Sequence, residues 1–473
     1  MITLQVVFEA LIQKAPDWSE MVITDAVIDS RKAIPGSLFV AIPGENVDGH
    51  DFIQDAFTQG ACFALVQKEL PEKFSVLDLR SGFTSSLEEV KVTPFCLRVE
   101  DTVQALQKVA QYWRNKLDVR VIGITGSVGK TTTKELVTSV LNQRYRTLKN
   151  PGNLNNEIGL PLTLWQMSRD HDHAVLEMGF YIPGEIEFLC DLAKPSVGVI
   201  TNIGTVHAER AGSQETIARG KAELIQALPP SPDGIAILNY DDFLVRGMAE
   251  KSSARCFFYG LTSEADLWAD GIEGLGLEGI RFRLHYQGET IFLRVPLIGR
   301  HSVHTALRAA AVGIVEGLTW HEIVKGLRSG HTQLRLVAVR AKSGALLLDD
   351  TYNASPQSTL AALNLLSELD GRKIAVLGDM LELGQYERQG HEKVGLRAAS
   401  VADILITVGE LGKIIAEAAT WIGMKKDRIF SLEDSESVIE FLRDYLHKGD
   451  VVLVKGSRGM QMDRIVAALE DRL

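Results

Sequence analysis

Cysteine is scarce in this chain and scattered. Four residues among 473, Cys62, Cys96, Cys190 and Cys256, form no CxxC pair, which argues against a zinc site or a redox dithiol. No apolar run approaches the roughly 18 residues of a membrane span, and the N-terminal MITLQVVFEALIQKAPDW has neither a basic n-region nor a small-residue cleavage site. It reads as a helix rather than a signal peptide, so a soluble protein in a reducing cytoplasm, without membrane insertion, is the expectation. Basic charge is also short: 50 Lys and Arg face 61 Asp and Glu, a net charge of −11. A large acidic chain is a poor general polyanion binder, so nucleic acid is not expected as a partner. Internal repeats and low-complexity segments are absent. What remains is globular in composition, 45% hydrophobic and 23% charged, which excludes a disordered chain, a collagen-like fibre and a small disulfide scaffold. At ~150 residues per domain the length suits about three domains.

The order of apolar runs predicts α/β architecture. Up to about residue 95, MVITDAVID, SLFVAIPG, CFALVQ and PFCLRVE are short β-like runs broken by Gly and Pro. Asp101 to Lys116 has helical spacing. From Val119, strand-like VRVIGIT, HAVLEMG, SVGVITNIG and GIAILNY alternate with helical segments, as in a parallel sheet covered on both faces. RFRLHY and TIFLRVPLI, separated by QGE, predict an antiparallel hairpin, and HSVHTALRAAAVGIVEGL a packed Ala-rich helix. Near Gln333 the alternation restarts with ALLLDD, KIAVLGDM, ADILITVG, RIFSL and VVLVKGS, a second doubly wound domain. The expected domains are 1–98, 99–330 and 331–473.

Between a predicted strand and helix stands GITGSVGKTT, residues 123–132. Backbone N–H groups of such a loop, with the positive end of the helix, suit phosphates. Lys130 would add a full charge and the Thr131 hydroxyl a Mg2+ ligand. The glycines stand at 123, 126 and 129, so the match is to GKT in context rather than to the full GxxxxGK[ST] pattern. Glu177 ends a strand, where ligand crevices of α/β sheets lie, and His207 follows the next strand. They could converge on a cation, or be a surface carboxylate and a satisfied loop histidine. Lys221 sits in the helical TIARGKAELIQAL, where most lysines are solvated. Asn153, Asn155 and Asn156 form a cluster that usually means a turn.

Together these segments resemble the Mur ligase family, the ATP-dependent amide-forming ligases of peptidoglycan assembly. TGSVGKTTTKE, GNLNNEIGLPLTL, LEMG, TNIGTVHAE, ARGKAEL, GRH at 299–301, DDTYNASP at 349–356, LGDMLELG at 377–384 and KGSRGM at 455–460 match in order. Three features are similar to the branch that adds D-alanyl-D-alanine to UDP-N-acetylmuramoyl-tripeptide: the N-terminal DSRKAIPGSLFVAIPGENVDGHDF, a YNASP close to YNANP, and the KGSRGM ending without a DNPR motif.

The resemblance implies a small α/β UDP-binding module, a central P-loop parallel-sheet ATPase domain and a Rossmann-like C-terminal domain, acting as a monomer on those two substrates. It places ATP against Gly126, Ser127, Val128, Gly129, Lys130, Thr131, Thr132, Asn153 and His301, with Arg335, Asp350, Tyr352 and Asn353 from the C-terminal domain. It assigns catalysis to Lys130, Glu177, His207 and Lys221, and one or two Mg2+ to Thr131, Glu177, His207 and a carbamylated Lys221. It puts Ser30, Arg31, Asp48, Gly49 and His50 near the UDP moiety. The implied chemistry is transfer of the ATP γ-phosphate to the tripeptide carboxylate, then attack by the dipeptide amine on the acyl phosphate. His207 or a carboxylate would assist deprotonation of that amine.

The chain departs from the family pattern at GRHNxxN, which reads GRHSVHT, so Ser302 and Thr305 replace the asparagines that help place adenine. Ser355 replaces an asparagine of YNANP. A folylpolyglutamate-type ligase would share the ATP core but lack the DSRKAIPGSLF segment. A nucleotide-dependent switch would need the GKT loop but not the carboxylate, histidine and lysine set.

Overall fold

The short apolar runs of the first 100 residues become parallel strands. The computed structural model describes residues 2–80, 93–329 and 337–471. Ala26–Val27, Leu38–Val40, Phe63–Val66, Phe95–Arg98 and Val76–Asp78 lie side by side in that order, all parallel. Phe8 of the helix Leu4–Ile12, Trp18, Phe63 and Phe95 pack edge-to-face with ring centroids 5.3–6.1 Å apart. The helix Thr102–Arg114 starts where Asp101 accepts from the Gln104 N–H at 2.8 Å, a cap that contributes about 1 kcal/mol.

The chain divides into two compact units. One comprises Met1–Gly123, Tyr145–Gly179 and Glu185–Ser196; the other comprises Ile124–Arg144, Phe180–Gly184 and Val197–Leu473. The first unit also contains Thr147–Lys149 paired parallel with the buried strand His173–Glu177. The strand Arg120–Thr125 carries the chain from the first unit into the second.

In the second unit Val197–Ile200, Ile235–Asn239, Arg255–Gly260 and Leu267–Gly274 run parallel. The predicted hairpin is Ile280–Tyr286 and Glu289–Val295, and it adds antiparallel to Leu267–Gly274. Arg255–Gly260 and Leu267–Gly274 are additions to the sequence reading, and the second bears a register shift between Asp270 and Glu273. The Ala-rich segment is the helix Val303–Val315, which packs on Lys130–Leu141. Small alanines permit this close approach.

The later strands of this unit form a six-stranded sheet. Its order is Val337–Arg340, Leu346–Asp349, Asp450–Lys455, Arg372–Gly378, Ile404–Val408 and Ile429–Leu432. All pair parallel except the first. Separate apolar clusters cover its two faces, as doubly wound sheets require. The carboxyl ends of its first two parallel strands lead to Asp350 and Lys455.

Candidate active site

The phosphate loop is stitched to the end of the neighbouring strand. Ser127 N–H donates to the Asn202 carbonyl at 2.9 Å and Val128 N–H to Asn202 Oδ1 at 3.0 Å. Thr201 Oγ1 donates to the Val128 carbonyl at 2.7 Å. This closeness demands glycine at 126: its φ is +144°, and a Cβ there would stand 1.8 Å from Thr201 Oγ1. Gly129, at φ +84°, turns the chain into the helix Lys130–Leu141. The helix N-terminus thus opens at the loop, where its unpaired N–H groups favour anions.

Two lysines converge on one carbonyl. Lys130 Nζ donates to the Gly126 carbonyl at 2.9 Å, and Lys221 Nζ donates to the same oxygen at 3.1 Å. Lys221 is 1% exposed and lies 4.5 Å from the Phe180 ring centroid, so it is not a solvated helix lysine. Both cations act on His207. Burial first, then Lys130 and Lys221, push this imidazole well below its ordinary pKa, against the opposing pull of Glu382. His207 Nδ1 is 2.6 Å from Glu382 Oε2, and its φ of +67° is uncommon outside glycine.

A cleft of about 420 Å3 borders the loop. Ser127–Thr132 form one wall, His301 and Arg308 a second, and Asp350, Asn353 and Lys455 a third. Lys455 is 2% exposed and donates to Asp350 Oδ2 at 2.7 Å and to the Asn353 carbonyl at 2.9 Å. His301 opens to the cleft, yet desolvation by the surrounding protein, then His304, Arg308 and Lys455, holds it below the usual imidazole range.

The structure therefore gathers Ser127, Val128, Gly129, Lys130, Thr131, Thr132, His301, Asp350 and Asn353 around one space, with Gly126 at the base of the loop. Tyr352 is exposed beside them in sequence. Arg335 lies outside the described residues. Among the departures, Ser302 Oγ donates to the Ile298 carbonyl at 2.7 Å, and Thr305 Oγ1 accepts from Arg308 at 2.8 Å. Ser355 caps the helix Pro356–Glu368 in a reciprocal pairing with Ser358, a role asparagine also fills well.

The first unit holds the other predicted groups. Glu177 is 1% exposed, not a surface carboxylate, and its Oε1 accepts from Asn155 Nδ2 at 2.9 Å. Asn150 binds both backbone groups of Glu177 through its side chain. The asparagine cluster is thus a turn that also orients a carboxylate; Asn153 occupies that turn, its carbonyl accepting from Asn155 N–H. Near the N-terminus, Arg31 forks onto Asp29 with both contacts at 2.9 Å, and Ser30 is buried beside it. Asp48 accepts from His50 Nδ1 at 2.7 Å and pairs with Lys68, while His50 Nε2 accepts from the Gln67 N–H. A Cβ on Gly49 would meet the Ile42 backbone at 2.7 Å. Asp48-Gly49-His50 is therefore an internal clasp that engages both imidazole nitrogens.

Family models match along nearly the whole chain. The model described as Mur ligase family, catalytic domain, covers residues 23–114; Mur ligase middle domain covers 124–313; and Mur ligase, glutamate ligase domain, covers 334–458. The chain is 36% identical over 461 residues to the UDP-N-acetylmuramoyl-tripeptide–D-alanyl-D-alanine ligase of Bacillus subtilis, spanning 96% of this chain and 94% of that protein. The chain belongs to the Mur ligase family. Its structure is similar to MurF from Acinetobacter baumannii, with TM-score 0.83, 30% identity and 98% of each chain covered. It is also similar to MurF ligase from Thermotoga maritima in complex with ADP, with TM-score 0.76, 28% identity and coverage of 96% and 98%. The Mur ligase fold of three α/β domains is the one the strand and helix pattern predicts.

Three polar residues of this Mur ligase escaped the sequence reading. Lys455 and Glu382 stand in the motifs KGSRGM and LGDMLELG, whose pattern alone points to no role for either. Arg308 is a single charge inside an Ala-rich helix, and that mismatch was its only signal.

Proposed function

We propose that this Mur ligase joins D-alanyl-D-alanine to UDP-N-acetylmuramoyl-tripeptide at the expense of ATP, in the assembly of peptidoglycan precursors. The observation that carries this reading is the cleft: a phosphate loop with Lys130 at one wall faces Asp350, Asn353 and Lys455 at another. A carboxylate carbon is too poor an electrophile to meet an amine at neutral pH. ATP phosphorylates it, and the resulting acyl phosphate reacts with the dipeptide amine, releasing phosphate and forming the amide. Loop N–H groups and Lys130 stabilise the charge on the phosphoryl group in flight. Lys221, behind the same carbonyl, adds positive potential. His207, held low in pKa and hydrogen-bonded to Glu382 through Nδ1, is neutral at physiological pH and has one ring nitrogen left, to hold magnesium or to take the amine's proton; where it holds the metal, a carboxylate assists the deprotonation.

The donor chemistry fits magnesium. This ion takes oxygen ligands and keeps substrate phosphates and waters in its shell, so it needs no all-protein cage. Among the described residues no group of three or more His, Cys, Asp or Glu forms such a cage. Thr131, Glu177 and His207 would hold it, with Lys221 if carbamylated; once bound, it neutralises phosphate charge. As an unmodified amine Lys221 makes the contacts of a cation, and carbamylation would reverse its sign.

Asn153 and Arg335 are proposed ATP contacts, and Ser30, Arg31 and the Asp48–His50 clasp belong to the proposed UDP module, with domain boundaries near residues 98 and 330. Among the described residues no helix is long and apolar enough to cross a membrane. The proposed working form is a cytoplasmic monomer. The test is orthophosphate release: it should require ATP, the UDP-tripeptide and D-alanyl-D-alanine together, and vanish in a folded Lys130→Ala variant. Release that ignores either peptide substrate would refute the proposal.

A further inference from the structure

One buried cation in the cleft wall has no part in the reaction as derived. Arg308 sits within the helix Val303–Val315 and is 3% exposed. Its guanidinium donates to three hydroxyls: Nε to Thr133 Oγ1 at 2.9 Å, Nη1 to Tyr259 OH at 3.3 Å and Nη2 to Thr305 Oγ1 at 2.8 Å. None of these is an anion. Complete burial pushes the Tyr259 phenol up in pKa, so it stays neutral at physiological pH. Asp241 and Asp242 act on that phenol too, but Asp241 is engaged by His304 at 2.8 Å.

Buried charges are ordinarily paired. A guanidinium carries five N–H groups, and three are accounted for. The two others belong to Nη1 and Nη2. Nη2 lies against the phosphate loop, since a Cβ built on Gly129 would stand 3.3 Å from it. Arg308 also lines the cleft itself. Thr305, one of the two departures from the GRHNxxN pattern, is the acceptor that helps aim it.

We propose that Arg308 is a nucleotide-binding residue whose remaining N–H groups take a phosphate oxygen of ATP at the Gly129 end of the loop. Lys130 serves the Gly126 end as a point charge, whereas the guanidinium contributes a planar fork suited to phosphate. The three hydroxyls hold that fork in place before the ligand arrives. The assignment rests on the reading of the cleft as the ATP site.

Calorimetric titration of wild type and Arg308→Met with ADP, beside thermal melts without nucleotide, tests it. The Kd for ADP should rise ~10- to 100-fold, the range for a charge-assisted hydrogen bond. The same factor should appear with inorganic pyrophosphate, which has no base. The melting midpoint of the nucleotide-free variant should hold or rise, because a buried charge without a carboxylate partner among the described residues has been removed. An unchanged ADP Kd overturns the proposal, whatever the melt does, and so does a loss confined to ADP. Should Arg308→Met fail to fold, Arg308→Lys is titrated instead: it keeps the charge without the fork, and a wild-type Kd for it counts against the proposal. Wild type that binds no ADP overturns the ATP-site reading as well, whereas tight wild-type binding with an indifferent variant overturns the Arg308 role alone.

Discussion

Gly126→Ala separates the geometry of the phosphate loop from its chemistry, because it removes no donor and no charge. The added Cβ would stand 1.8 Å from Thr201 Oγ1 and 3.0 Å from Thr201 N, at a φ of +144°. The loop must therefore move away from the strand end. That displaces the Thr201–Val128 and Ser127–Asn202 hydrogen bonds, at 2.7 and 2.9 Å, and the carbonyl on which Lys130 and Lys221 converge. Backbone strain costs roughly 1–3 kcal/mol and overpacking a similar ~1–3 kcal/mol. Urea denaturation should report a loss of about 2–6 kcal/mol, and calorimetry at least a ~10-fold weaker ADP affinity, because the cradling N–H groups lose their alignment. Gly423→Ala is the control: its φ is +104° but nothing lies within 4 Å, so only strain should appear and ADP affinity should hold. Adding Thr201→Ala to Gly126→Ala removes the atom struck and should recover part of the stability. Wild-type stability and affinity in Gly126→Ala, or plain additivity in the double variant, would refute the reasoning.

Glu382→Ala should lower kcat about 10-fold by releasing His207 from its 2.6 Å partner, while Glu382→Gln, still able to accept, should retain most activity; steady-state kinetics would show it. Lys221→Ala should be inactive, with partial rescue by short carboxylic acids if a carbamate is the working form; mass spectrometry of the native protein would show the bound carbon dioxide. Cys96 is wholly buried, and burial alone pushes its thiol up to about 12 from 9.0. Above pH 9 the unfolded thiol ionises while the native one keeps its proton, so this contribution to stability is complete below pH 9 and is lost as pH rises towards 12. Denaturation curves should show a fall of up to about 1.4 kcal/mol per pH unit, absent in Cys96→Ala.

Sequence alone revealed what depends on local pattern. The GKT loop was readable because a strand, glycines and a helix start follow one another, and the buried parallel strands because each is a short unbroken apolar run. Arg255–Gly260 and Leu267–Gly274 escaped: the first begins with a charged residue, and the second mixes charges with glycine across a register shift. Burial of single polar groups was beyond reach. Glu177 could have been a surface carboxylate and Lys221 a solvated lysine; packing that brings Asn155 to one and Phe180 to the other decides otherwise. Arg308 is hidden for the same reason, since the helix Lys130–Leu141 and the strand Arg255–Gly260 packed against its own helix turn an outlying charge inward.

Oxygen-18 placed in the terminal carboxylate of the tripeptide tests the ligase chemistry most directly. Passage through an acyl phosphate delivers one labelled oxygen per turnover into the released orthophosphate, and mass spectrometry of that phosphate should find it. Orthophosphate free of the label, formed while the amide product accumulates, would contradict activation of the carboxylate by ATP.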